Sequence, residues 1–194
     1  MMVSFSTTKT SLTKTERKFA ITELKDSKKH LQKAVKGLSA AQLNFKASRE
    51  SWSIAECTEH LALSETLIYD MLEGALKQPA DPSRRAEVKV TDDKLLSMII
   101  DRSNKVKTQE PFKPTGKFGS QENTLKEFVD KRDSHIDFIR KTNEDLRNRY
   151  QQLPFGIIDA YQILLLLSGH TERHIAQIEE VKADPNFPKS WLEC

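Results

Sequence analysis

The chain has 194 residues, a length that fits one domain, with 31 lysines and arginines against 28 aspartates and glutamates. A hydrophobic share of 37% can supply a core in a chain of this size without disulfide staples. The mixed charge, without a basic stripe, argues against a nucleic-acid partner. Two cysteines, Cys57 and Cys194, do not make a secreted disulfide framework. The first residues lack a basic region followed by an apolar run, and the longest apolar run, residues 163–167, is far too short to span a bilayer. These features predict a cytoplasmic protein without a membrane partner, folded as a single domain over 1–194 with its core in about 12–182.

The apolar spacing is helical almost throughout, and no long stretch alternates with period two. Thr13-x-x-Glu16 fits a capping box and opens the first long helix. Its stripe is Ala20, Leu24, Ser27, Leu31, Ala34 and Leu38, and it ends at Gly37. Ser39-x-x-Gln42 starts a short turn. The second long helix is capped by Ser53 with Glu56 as partner, and runs to about residue 77, before Pro79. A polar crossover, residues 78–90, leads to a short helix at about 92–103 carrying Leu95, Leu96, Ile99 and Ile100. A second linker with two prolines and two glycines (VKTQEPFKPTGKFGS) reaches Ser120, which caps the third long helix. The fourth is expected from about residue 158 to 182. Four long amphipathic helices with crossovers predict an all-α four-helix bundle with a short extra helix in the crossover.

Three of the five histidines fall on core faces. On the second helix, Leu67, Met71 and Cys57 lie within roughly 60° of His60, whereas Glu59, Thr66 and Asp70 fall well away. On the fourth, His170 and His174 are separated by about 40° and one turn, on the arc of Ile163, Leu167, Ile178 and Val181. A buried imidazole needs a partner for each ring nitrogen, and a divalent ion supplies a shared one. The pattern is not that of a zinc protease: in His170-Thr171-Glu172-Arg173-His174 the glutamate sits about 200° from His170 instead of beside it. No histidine has a glutamate three residues earlier, as di-iron bundles require. The metal reading is therefore mononuclear, with three histidines and an open position for water or a substrate thiolate. The plain alternative is a set of satisfied core histidines. Imidazole does not select among zinc, nickel, manganese and iron.

Around these residues, Glu56 either is the capping partner of Ser53, supports a metal ligand, or acts as a base. Arg132 lies near the centre of its stripe; it either pairs with a carboxylate, binds an anionic substrate group, or snorkels to solvent. His135 is placed on a partly exposed flank and His30 on the surface. Cys57 reads as a small buried hydrophobe, with approach to the metal as its other role. Trp52 reads as a staple at the helix entrance. No nucleophilic triad is recognisable, so no covalent nucleophile is expected.

The segments 52–61 (WSIAECTEHL) and 169–178 (GHTERHIAQI) resemble the two signature regions of the DinB/YfiT-like superfamily, with supporting likeness at 132–136 (RDSHI) and 159–162 (DAYQ). The similarity covers about residues 12–181. It implies an up-down-down-up bundle, often a homodimer, with a divalent metal held at the positions of His60, His170 and His174. It also implies chemistry on a small-molecule substrate, either metal-dependent hydrolysis or transfer and isomerisation with a low-molecular-weight thiol. A non-catalytic bundle with a structural or vestigial metal site, and a metal-free scaffold, are the competing readings, since one fold hosts several functions.

Overall fold

A computed structural model describes residues 11–103 and 107–189. The N-terminal leader reading and Cys194 lie outside the described residues. Four long helices dominate: α1 (Lys14–Val35), α3 (Ile54–Leu76), α5 (Gln121–Lys141) and α6 (Ala160–Lys182). Between them stand α2 (Ala40–Asn44), α4 (Asp92–Ile100), and an antiparallel hairpin of β1 (Tyr150–Leu153) and β2 (Gly156–Asp159). Each predicted cap is in place. The hydroxyls of Thr13, Ser39, Ser53 and Ser120 accept the backbone N–H three residues on, and the first three close as full capping boxes. Among the described residues no helix is long and apolar enough to cross a membrane.

The side-chain contacts fix the topology. Tyr161 Oη donates to the Glu16 carbonyl at 2.8 Å, Ser168 Oγ to that of Glu23 at 3.0 Å, and His30 meets Glu172 at 2.8 Å, so α1 and α6 run parallel. Gln121 on Thr58 and Arg132 on Glu65 make α3 and α5 parallel as well. Arg17 on the Thr142 carbonyl and Arg132 on that of Leu24 set α1 antiparallel to α5. Each helix of the α1/α3 pair packs on both α5 and α6. The bundle is therefore up-down-down-up.

Two apolar clusters fill it. One joins Leu24, Ile68, Leu72, Ile136, Ile139 and residues 163–167; the other joins Leu31, Ile54, Cys57, Leu61, Phe128, Ile178 and Val181. Between them lies a polar belt in which Ser27, Glu65, Arg132, His135 and Thr171 are all buried. The short helix α4 lies against α6. Gly169 permits this approach, because a Cβ there would stand 3.3 Å from Ile99.

Two boundaries differ from the sequence expectation. The short helix ends at Ile100 rather than near 103. The last helix starts at Ala160, two residues late, because Ile157 and Ile158 belong to β2, where they pair with Gln152 and Gln151. Strands of four residues are too short for alternation to register. The signal that marks the true start is Asp159-x-x-Gln162, which forms a reciprocal capping box.

Candidate metal centre

His60 enters from the N-terminal half of α3, and His170 and His174 from successive turns of the antiparallel α6. Their Nδ1 or Nε2 atoms include one from each ring such that all three lie within 4.8 Å of one another. His60 Nε2 and His170 Nε2 are 3.2 Å apart. Two nitrogens on one tetrahedral ion with bonds of about 2.05 Å sit roughly 3.4 Å apart, so this spacing suits a shared ligand.

The outer nitrogens set the ring states of two of the three. His60 Nδ1–H donates to the Phe112 carbonyl at 2.7 Å, leaving a lone pair on Nε2. His174 Nδ1–H donates to Gln177 Oε1 at 2.9 Å. That amide oxygen also accepts from Arg102, which can only donate, so the orientation of Gln177 is determined chemically. Burial pushes all three imidazoles below their ordinary pKa. Burial and the neighbouring imidazoles take His170 well down, and burial with the field of His60 takes His174 to about 3. All three rings are thus neutral at pH 7, with lone pairs available to a cation. The donor set, three neutral imidazoles converging from two helices, fits a borderline divalent ion.

The walls of the site come partly from segments that a helical wheel ignores. Trp52, expected to staple the helix entrance, packs its ring 4.8 Å from that of His60 and lies nearly parallel to His174 at 6.1 Å. Phe112, on a 3-10 turn of the second crossover, faces His60 from 6.1 Å. Glu59, which the wheel turns away from the core, is buried. The crossover folds over that face, and the N–H groups of Thr115, Gly116 and Lys117 converge on its carboxylate at 3.0, 2.9 and 2.8 Å.

The remaining candidates stand apart from the three rings. The Glu56 carboxylate accepts the Ser53 N–H at 2.7 Å and pairs with Lys46 at 2.8 Å. It lines a cleft with Lys46, Thr115 and Gln121 that none of the three histidines lines. Arg132 has no solvent exposure, and all five of its N–H donors are engaged by Glu65, Ser27, Thr171 and the Leu24 and Leu167 carbonyls. It pairs with a carboxylate, and no donor is left for an anionic substrate group. His135 is buried rather than flanking. Its Nδ1 lies 3.1 Å from Glu65, and its ring stacks on Tyr69 at 4.1 Å. His30 is on the surface, paired with Glu172. Cys57 is buried with its thiol pushed up to about 12, and it is not among the residues whose ligand atoms converge.

This fold has counterparts among known proteins. Residues 23–178 match the family model of the DinB superfamily. The uncharacterized protein YuaE of Bacillus subtilis (strain 168) is 30% identical over 149 residues, covering 76% of this chain and 88% of that one. The structure of YfiT from Bacillus subtilis, described as a probable metal-dependent hydrolase with an unusual four-helix bundle topology, superimposes with a TM-score of 0.57 at 21% identity, over 89% of each chain. At that identity the likeness to YfiT speaks for the bundle alone. The family match spans all three histidines, and with it the chain belongs to the DinB superfamily.

Proposed function

We propose that the protein is a metal-dependent enzyme acting on a small electrophilic substrate, with His60, His170 and His174 holding one divalent ion and a further coordination position left open. The observation that carries this reading is the grouping of three imidazole nitrogens within 4.8 Å of one another, with the Nδ1 atoms of His60 and His174 held by hydrogen bonds that leave Nε2 free as a donor to a metal. A divalent ion held by these three rings would supply Lewis-acid activation of water or of a thiol. The chain's own part is positioning. The three neutral rings would donate without charge and so would leave a bound ion its positive field. Trp52 and Phe112 pack their rings against that of His60.

No acidic side chain among the described residues joins the three histidines as a further ligand candidate, which suits a site completed by water or by a thiolate. Glu56 and Arg132 receive structural rather than catalytic roles in this reading, as a helix cap and as the hub of the polar belt. The description of YfiT as a probable metal-dependent hydrolase points the same way and favours water as the nucleophile. Thiol transfer is the second chemistry the open position allows.

Protein purified without chelator or histidine tag should carry one divalent ion per chain by elemental analysis. It should turn over a member of a panel of activated esters, amides, or electrophiles supplied with a low-molecular-weight thiol. Chelation should remove that turnover and readdition of the ion restore it. Turnover undiminished after complete metal removal would sink the proposal, as would a chain that binds no ion.

A further inference from the structure

We infer that Gln177 and Glu59 are positioning residues of the three-histidine centre, and that the crossover between α4 and α5 is the layer through which they act. The inference rests on the metal-site reading above. Gln177 stands one turn beyond His174 on α6 and accepts the His174 Nδ1–H at 2.9 Å. The same oxygen accepts from Arg102 Nη1 at 3.3 Å, and Arg102 is itself held by a two-pronged contact to Glu180 at 2.8 and 2.7 Å. Arg102 follows α4, so the start of the crossover pins the amide that pins His174. The other half of the device is Glu59. Its carboxylate binds three consecutive backbone N–H groups, those of residues 115–117, and the carbonyl that meets His60 Nδ1 is only three residues upstream, at Phe112.

Adjacent residues on one helix thus do two jobs: Glu59 clamps the crossover and His60 receives its carbonyl. The physical consequence follows from the geometry of imidazole. A ring whose Nδ1–H is held by a fixed acceptor presents Nε2 in one direction with its lone pair free. A ring without that acceptor rotates and populates both tautomers, and metal affinity falls. Gln177 meets the Nδ1 of His174, so its effect on the centre is exerted through that ring.

The test uses the full chain stripped of metal and titrated with Co2+ against a chromophoric chelator, with the cobalt d–d spectrum as a second readout. Gln177→Leu removes the acceptor and should weaken Co2+ binding about 10- to 100-fold and alter the d–d band, while the melting temperature of the metal-free protein stays within about 2 °C of wild type. Gln177→Glu keeps an acceptor for the same N–H and should bind within about threefold of wild type. Glu59→Gln places an NH2 group against backbone donors, loosens the clamp, and should weaken Co2+ about 10-fold or more with an unchanged helical circular-dichroism signal. Wild-type affinity and spectrum in Gln177→Leu would overturn the inference while leaving the metal site standing. Equal weakening in Gln177→Leu and Gln177→Glu would overturn it too, since the acceptor would then not be what matters. A wild-type chain that takes up no Co2+ overturns the functional reading and this inference together.

Discussion

Replacing Arg132 with methionine should lower the unfolding free energy by about 3–5 kcal/mol, read as a fall in the urea midpoint at unchanged slope. Arg132 has no exposure, and Glu65, its two-pronged partner at 2.9 and 2.6 Å, is buried with it. Taking away the guanidinium leaves a carboxylate in the bundle interior with His135 as its remaining ring partner, and orphans the Leu24 and Leu167 carbonyls from this donor. The cost comes from the charge left behind. The double variant Glu65→Gln with Arg132→Met should therefore recover part of the loss, because it removes the uncompensated charge along with its partner. A natural domain holds about 5–15 kcal/mol in all, so the single substitution consumes a large fraction of that.

The pH dependence sharpens this. Burial alone would raise the Glu65 pKa, but the charge and hydrogen bonds of Arg132, followed by those of His135, outweigh it and leave the carboxyl below its ordinary value. A group depressed in the folded state contributes stability above its unfolded pKa, about 4.3, and loses it as pH falls through the lower folded value. In Arg132→Met the sign reverses. The buried carboxylate, deprived of its guanidinium, should have a raised folded pKa, so its penalty is largest at neutral pH and relaxes as it takes up a proton. The stability gap between wild type and Arg132→Met should therefore narrow as pH falls from 7 toward 4. A gap that widens on acidification would contradict the assignment of Glu65 and Arg132 as a charged pair.

The belt that contains this pair also explains which parts of the molecule a sequence can announce. Thr13, Ser39, Ser53 and Ser120 are legible as caps because capping is a matter of three residues and one hydroxyl. The inward facing of His60, His170 and His174 is legible because a helical wheel gives direction from spacing alone. That the three rings meet is a different kind of fact, since it depends on α3 packing antiparallel to α6. The expectation that they meet rests on their shared inward facing together with the likeness of the segments around His60 and His170 to the DinB/YfiT-like signature regions. Glu59 and His135 were misplaced for a related reason. A wheel measures distance from the bundle's own stripe, but Glu59 is buried by a crossover and His135 by Glu65 and Tyr69 across a helix interface. Glu65 lies 67 residues from Arg132, and nothing local to either residue names the other.

His170→Ala should abolish the stabilisation that a divalent ion confers while leaving the metal-free bundle folded. Ligand that binds only the native state, present at about 1,000 times its dissociation constant, stabilises by roughly 4 kcal/mol. In a chain of this size each kcal/mol moves the melting temperature by about 2–4 °C, so wild type should gain roughly 8–16 °C on addition of the ion. His170 is the ring to remove because its Nε2 faces that of His60 across 3.2 Å, while the hydrogen bonds that anchor His60 to Phe112 and His174 to Gln177 do not involve it. Without it the other two imidazoles keep their orientation but lose a third of the donor set, and the metal-dependent shift should shrink to a few degrees or vanish. The metal-free melting temperature separates the two uses of such a centre. A site evolved for chemistry sits in a bundle that two apolar clusters already hold, so both proteins should melt alike without metal and lose turnover alike. A centre that holds the fold together would instead leave metal-free wild type itself largely unfolded, as in small zinc-dependent domains. A full wild-type thermal shift in His170→Ala would show that the ion binds elsewhere.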